Sequence, residues 1–432
     1  MPAPASSQET PGLARDRVQD FYERYPYPRP VASLDNYRRE WQDPARRRAD
    51  FHLSWPHRPY GEARSILVAG CGTAQAARHA LRWPSAQVTG IDFSAASVRS
   101  TEALKEKYGL DNLQVRQLAL ERVGELGLSF DQIVCTGVLH HLPDPDAGLK
   151  ALAEVLEPGG ALHLMVYAPY GRAGIYLIQA FCRLLGIGAT DQGIRELIQA
   201  LGSLPAGHPL ATLLREAPDF RQEAALADAL LHPQDRAYSV PELFAFLGRA
   251  GLGFVRWLRQ APYSPRCGVL ARIPQASRLA GLPPEDQYAA AELFRGTLVS
   301  HSLVACRSDS APPPVTFEGG DWLDYVPVRT PDTIAVQERL PAGAAAVLIN
   351  RGHTCTDLVH PVDRAGWQLF QAIDGERTIG AILGAGGDPA CARALFERLW
   401  CYDQVVFDAS RRRGLDSTLD PVNRTQGTVP KP

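Results

Sequence analysis

Two stretches carry residue types whose spacing could do chemistry. Gly70-Cys71-Gly72-Thr73-Ala74 follows the apolar run Ile66-Leu67-Val68-Ala69, and Asp92 ends a second β-like run twenty positions after Gly72. A glycine turn after a buried strand lets a ligand approach bare backbone. An acid at the tip of the next strand accepts hydrogen bonds from ribose hydroxyls. The second stretch is His140-His141, in a loop that the reading places at the C-terminal edge of the sheet, where open α/β folds bind ligands. A histidine there takes a proton from a nucleophile or orients a substrate, or it bonds backbone carbonyls and shapes the loop. His353, Cys355 and His360 lie close together but match no zinc spacing, so no metal is expected.

The elements that must hold these groups alternate between strand and helix. A helix is predicted over 76–81, a second over 95–108 with Ser94 as its N-cap, and a third strand over 112–116. Phe130-Asp131-Gln132-Ile133-Val134 reads as strand four. Leu156-Glu157-Pro158-Gly159-Gly160 reads as a turn, and 161–167 as strand five. Framework resumes with a helix over 240–251, N-capped by Ser239, and a strand at about 253–259. A helix over 285–298 and a strand over 300–306 then close the sheet with an antiparallel edge.

In order and spacing, Gly70-Cys71-Gly72-Thr73-Ala74, Asp92, Gly137-Val138-Leu139-His140-His141-Leu142 and Glu157-Pro158-Gly159-Gly160 resemble the class I S-adenosylmethionine-dependent methyltransferases. The segment Phe21-Tyr22 to Arg29, with its Tyr-Pro-Tyr-Pro-Arg wording, is similar to the N-terminal segment of a bacterial branch of that family. Three positions depart from the family pattern. Val68 stands where an acid precedes the glycines, Ala74 where a third glycine is usual, and Gln117-Leu118-Ala119 where an acid follows strand three.

The resemblance implies an α/β fold with a Rossmann-like, seven-stranded methyltransferase sheet, and S-adenosyl-L-methionine as cofactor. It implies that Ala69, Gly70, Cys71 and Gly72 cradle the methionine portion, that Asp92 takes the ribose, and that Phe93 stacks near the adenine. Ala119, Thr136 and Gly137 would complete the cofactor contacts. His141 is the candidate base or acceptor orienter.

The aromatic, proline-stiffened segment around Tyr22 and Tyr27 is predicted to be a lid over the site or a strap on its surface. The helical insertion at about 170–238 is predicted to cap the C-terminal edge of the sheet and build the acceptor pocket. Tyr22, Tyr27, His140, Tyr167, Tyr170, Arg172, His232 and Tyr238 are its candidate substrate residues. Those at the root of the cap could equally be hinge packing or a cap-to-core hydrogen-bond network.

Ser308 to Pro314, ending in three prolines, reads as a linker. The domains therefore read as a tail and lid over 1–60, the methyltransferase domain over 61–310, and a small α+β module over 315–410. A disordered tail over 411–432 follows. The Asp374-Gly375-Glu376-Arg377-Thr378 turn faintly resembles winged-helix-like peptide-binding domains, hinting at a peptide partner; otherwise the module is a dimerisation or lid domain.

A chain of 432 residues with formal net charge −2 has no global attraction to nucleic acid or anionic membrane. Its eight cysteines form no C-x-x-C pair and its start lacks a signal-peptide pattern, so reduced thiols and a cytoplasmic location are expected. The expected partner is a small-molecule or peptide acceptor, with no nucleic acid and no membrane, and a homodimer is left open. A non-catalytic Rossmann-like scaffold for a peptide or partner subunit is the alternative that Val68 favours. A nicotinamide enzyme is disfavoured by the glycine spacing.

Overall fold

The first apolar run forms β1 (Ser65–Ala69), whose last four side chains are buried. The computed structural model describes residues 18, 21–25, 28–216 and 218–411; of the segments expected as tail and lid over 1–60 and as tail over 411–432, residues 1–17 and 412–432 lie outside them. β2 (Gln87–Asp92) and β4 (Phe130–Thr136) flank β1 in parallel register, with Val68 opposite both Gly90 and Val134. With β3 (Leu113–Gln117), β5 (Leu156–Tyr167), β6 (Leu252–Trp257) and β7 (Ser300–Arg307) they make a seven-stranded sheet in the order β3-β2-β1-β4-β5-β7-β6. Helices cover both faces, so the central strands read as continuous apolar runs. The helix Ala95–Tyr108 starts where predicted, with the Ser94 hydroxyl accepting from the Ser97 amide. Ser239 and Glu242 close a capping box on the helix Val240–Arg249.

Two details differ from the sequence prediction. Leu156 to Gly160, expected as a turn, is drawn into β5. Leu156 pairs with Phe130 ahead of a register shift, and Gly159 takes φ +73°, so the glycines form a bulge at the strand's start. The antiparallel strand β7 is not the edge; it lies between β5 and β6, antiparallel to both. Its burial explains the order. β7 hides five of eight side chains, whereas the four central residues of β6 are only half-buried and suit an edge.

After β5 the chain leaves the sheet for four helices, Ala173–Leu185, Asp191–Gly202, Pro209–Glu216 and Glu223–Leu231. They enclose a separate apolar core of Ile175, Ile178, Ile194, Leu197 and Leu230, to which the N-terminal segment contributes Phe21. The cap is therefore built partly from the chain's beginning.

Residues 315–411 have their own core, including Trp322, Tyr325, Phe370, Phe396 and Phe407. β8 (Val326–Arg329) pairs with β12 (Val405–Asp408), while β9 (Thr333–Val336), β10 (Ala346–Asn350) and β11 (Val359–Val362) form an antiparallel sheet. The module also carries the helices Arg364–Gln371, Ile379–Leu383 and Pro389–Cys401. The Asp374 carboxylate collects the amides of Glu376 and Arg377 and the Arg377 side chain. It is thereby held far below the usual carboxylate range. The module docks on the helix Pro44–Ser54 through Arg48–Asp408 at 3.1 Å, and on the turn after β6 through Asp403.

All eight cysteines are unpaired thiols. Among the described residues no helix is long and apolar enough to cross a membrane.

Candidate active site

Strand ends determine where the site lies. β1, β2 and β4 all finish at one edge of the sheet, and the turns that follow them line a cavity of about 540 Å³, well within the range of small-molecule sites. The cap closes its far side through Ile175, Leu213, Phe220 and Asp228, and the N-terminal segment adds Tyr22, Pro28 and Arg29. The Thr73 hydroxyl ties that segment down, donating to the Pro28 carbonyl at 2.9 Å. The aromatic segment is thus a wall of the cavity.

The glycine turn is sterically obligatory at its first position. Gly70 adopts φ +67°, and a Cβ there would sit 2.3 Å from Val138 Cγ2. Gly70→Ala is expected to cost about 2–4 kcal/mol, combining left-handed strain with overpacking against a buried loop. Urea unfolding would measure it, and a loss under 1 kcal/mol would contradict the close approach.

Asp92 lines the cavity at the tip of β2. Its Oδ2 accepts from the Gly72 amide at 2.8 Å and its Oδ1 from the Ser94 amide at 2.9 Å. Burial pushes its carboxyl above the ordinary range, with Glu23 nearby adding to the rise and the two amides opposing it. Each oxygen keeps a lone pair for a ligand hydroxyl. Val68 is fully buried in the apolar core and offers nothing to the cavity. Gln75, at the start of the next helix, offers something instead. Its Nε2 donates to Thr136 Oγ1 at 2.7 Å, and the amide lines the cavity with its carbonyl oxygen still able to accept.

His141 is held by four rings, those of Tyr22, His140, Tyr167 and His232, with centroids 3.9–6.4 Å away. Its Nδ1 lies 2.8 Å from the Gln234 carbonyl oxygen. A carbonyl only accepts, so Nδ1 carries a proton, and in the neutral ring the lone pair is on Nε2. Asp228 stands opposite, with the Tyr22 hydroxyl donating to Oδ1 at 2.9 Å and Tyr167 to Oδ2 at 3.5 Å. Burial raises its carboxyl above the ordinary range, countered first by the nearby His141 and then by the Tyr22 hydrogen bond. Arg172 sits over the Tyr167 ring, its guanidinium carbon 3.4 Å from the centroid, and pairs with Asp235 at 3.0 Å.

His141, Asp228 and His232 place one possible metal-ligand atom each within 4.8 Å of one another. The hydrogen bonds oppose a metal there. The Gln234 amide donates to His232 Nδ1 at 3.0 Å, which leaves that ring's proton on Nε2 and removes the lone pair a metal would need.

Of the residues predicted for the cofactor, Gly70, Cys71, Gly72, Asp92, Phe93, Ala119, Thr136 and Gly137 line the cavity. Ala69 is buried one step behind it. Of those predicted for substrate and catalysis, Tyr22, His141, Tyr167 and Arg172 line it as well, and Tyr27 lies outside the described residues.

Four expectations are corrected by placement. His140 is fully buried, its ring 3.8 Å from that of Tyr167, so it props the wall from behind. His232 is buried against His141 and Phe21, in a second layer. Tyr238 is in the core, stacked on Phe246. Tyr170 is 43% exposed, at the turn leading into the cap. Sequence reasoning missed Gln75 and Asp228. Asp228 had a readable signal, as the lone acid inside the otherwise apolar Ala224-Ala225-Leu226-Ala227-Asp228-Ala229-Leu230-Leu231.

A 3-2-1-4-5-7-6 sheet with strand seven reversed, a glycine turn after β1 and a carboxylate at the tip of β2 define a class of protein. That class is the Rossmann-like methyltransferase fold. Residues 67–162 match the family model described as a methyltransferase domain.

Among solved structures, PKMT2 from Rickettsia typhi superposes with a TM-score of 0.60 over 85% of this chain and 75% of its own, at 15% identity, a likeness of fold. That protein is also known in complex with AdoHcy. An uncharacterised protein of Synechococcus sp. is 33% identical over 266 residues, covering 59% of this chain and 63% of that protein. A ubiquinone biosynthesis O-methyltransferase of Paracidovorax citrulli is 33% identical over 100 residues, covering 23% and 42% respectively. The chain thus spans less than two thirds of the length of these curated relatives.

Proposed function

We propose that this protein transfers a methyl group from S-adenosyl-L-methionine to a nucleophilic atom of a small molecule or peptide, and that the two substrates meet in this cavity. The observation that carries the reading is that Asp92 and the Gly70–Gly72 turn share one enclosed space with His141, Tyr22 and Asp228. Asp92 would hold the ribose hydroxyls and the bare backbone of the turn would lie along the methionine portion. The Gln75 carbonyl oxygen would receive the methionine ammonium in place of the acid that Val68 lacks. In-line transfer requires mainly that donor and acceptor be aligned and water excluded, a task for the cap and the N-terminal wall.

Calorimetric titration with S-adenosylhomocysteine tests the reading. Micromolar binding is expected for the native chain, and Asp92→Ala is expected to weaken it about 100-fold, since two hydroxyl-to-carboxylate bonds are lost. If the native chain does not bind, the scaffold reading takes over.

A further inference from the structure

The helix Glu223–Leu231 buries all of residues 224–231, Asp228 among them. A carboxylate removed from water needs a cation or a full set of donors. Asp228 has two phenols, one of them at 3.5 Å. Its foremost electrostatic partner is the His141 ring; among the described residues no lysine or arginine forms an ion pair with it, and Arg172, the guanidinium in its field, is already paired with Asp235. The surroundings are aromatic, since Tyr22, Phe93, His141 and Tyr167 all line the same cavity. Tyr167 is already faced by Arg172 and by the His140 ring, so the rings left to add to an ion pair at this carboxylate are those of Tyr22 and Phe93.

We propose that the acceptor is an amine, which docks as its ammonium on the Asp228 carboxylate beside the ring of Tyr22. The assignment rests on the methyl-transfer reading above and names its nucleophile. An ammonium has no free electron pair, so one proton must leave before attack. His141 Nε2 is the acceptor for it, because Nδ1–H is committed to the Gln234 carbonyl. The freed nitrogen pair forms the new C–N bond as the C–S pair returns to sulfur. The products are a methylated ammonium, a thioether and an imidazolium, and Asp228 offsets the imidazolium charge. A hydroxyl acceptor would bring no charge to match Asp228. The O-methyltransferase relative named above aligns over only 23% of the chain.

The test uses the full chain saturated with S-adenosylhomocysteine, titrated near neutral pH with n-butylammonium chloride and with 1-butanol as its uncharged counterpart. The ammonium is expected to bind at least about tenfold more tightly than the alcohol, in the native chain and in Tyr22→Phe, which keeps the carboxylate. Asp228→Asn is expected to bring the two ligands to parity. Should that variant not fold, the native comparison and Tyr22→Phe still decide. Equal binding of ammonium and alcohol by a chain that binds S-adenosylhomocysteine overturns the amine assignment and leaves the methyltransferase reading standing. No S-adenosylhomocysteine binding overturns both. Micromolar zinc binding that His232→Ala abolishes would overturn the assignment in favour of a metal centre.

Discussion

Asp403→Ala is expected to destabilise the protein by about 3–5 kcal/mol, the largest single-residue effect on stability that the structure implies. The residue is buried where the C-terminal module meets the sheet. Its Oδ1 accepts from the Gln260 amide at 3.1 Å and its Oδ2 from the Ala261 amide at 3.0 Å. His353 Nε2 reaches Oδ2 at 2.9 Å and Arg256 reaches Oδ1 at 3.5 Å. Arg256 and both amides belong to β6 and the turn after it, and His353 to the module, so one carboxylate joins the two units.

Truncation would leave the Arg256 guanidinium in a site where burial already lowers its pKa and Asp403 is the leading group that restores it. Two amides would also lose their acceptors. Asp403 has φ +55°, which aspartate tolerates better than alanine. Asp403→Asn keeps the shape and the backbone preference and isolates the charge, so a smaller loss is expected from it. Urea unfolding measures both variants. The alanine variant should also become sensitive to proteolysis at the exposed 308–314 joint, as the module undocks. A change below 1 kcal/mol with unaltered proteolysis would show that the junction is held elsewhere.

None of this junction could be read from the sequence, whereas the sheet could. Strands such as Ile66-Leu67-Val68-Ala69, buried on both faces, announce themselves as apolar runs, and the glycines at 70 and 72 mark the turn because only glycine is at ease at those φ values. Ser94 was readable as a cap because capping is a local bond spanning three residues. β7 was misplaced in the order because its neighbours are set by long-range pairing, to which its own sequence is indifferent.

The same contrast divides the site. Asp92 belongs to a strand tip of fixed spacing. Asp228, His232 and Tyr238 are placed by four cap helices whose packing no local pattern specifies. The backbone of residues 234–238 decides which rings face the cavity. Tyr238 donates its amide to the Tyr167 carbonyl at 2.9 Å and Gln234 Nε2 donates to the Leu142 carbonyl at 2.6 Å, laying this segment along the end of β5 and the His140-His141 turn. That register sends Tyr238 into the core and brings the Gln234 carbonyl to His141. A histidine pair in a loop was visible. Which of the two would stand in the cavity with its Nδ1 proton committed depended on a carbonyl 93 residues away.

On the proposed base role of His141 Nε2, His141→Ala is the substitution with the largest expected effect on catalysis. Removing a positioned general base typically costs 10²–10⁴-fold, roughly 3–5 kcal/mol of barrier. S-adenosylhomocysteine binding should hardly change, because Asp92, Gly72 and Gln75 are untouched. The pH profile separates a chemical role from a structural one. If the acceptor enters as an ammonium, the native chain strips its proton at neutral pH through His141. The alanine variant must instead wait for the small fraction that is already neutral. That fraction rises tenfold per pH unit up to the amine's own pKa, about 10 for an alkylamine. The variant's turnover of an amine acceptor should therefore climb steeply with pH and approach the native rate at high pH. Parallel profiles, with the variant lower by a constant factor, would show that the ring only shapes the wall beside Tyr167 and that the proton leaves by another route.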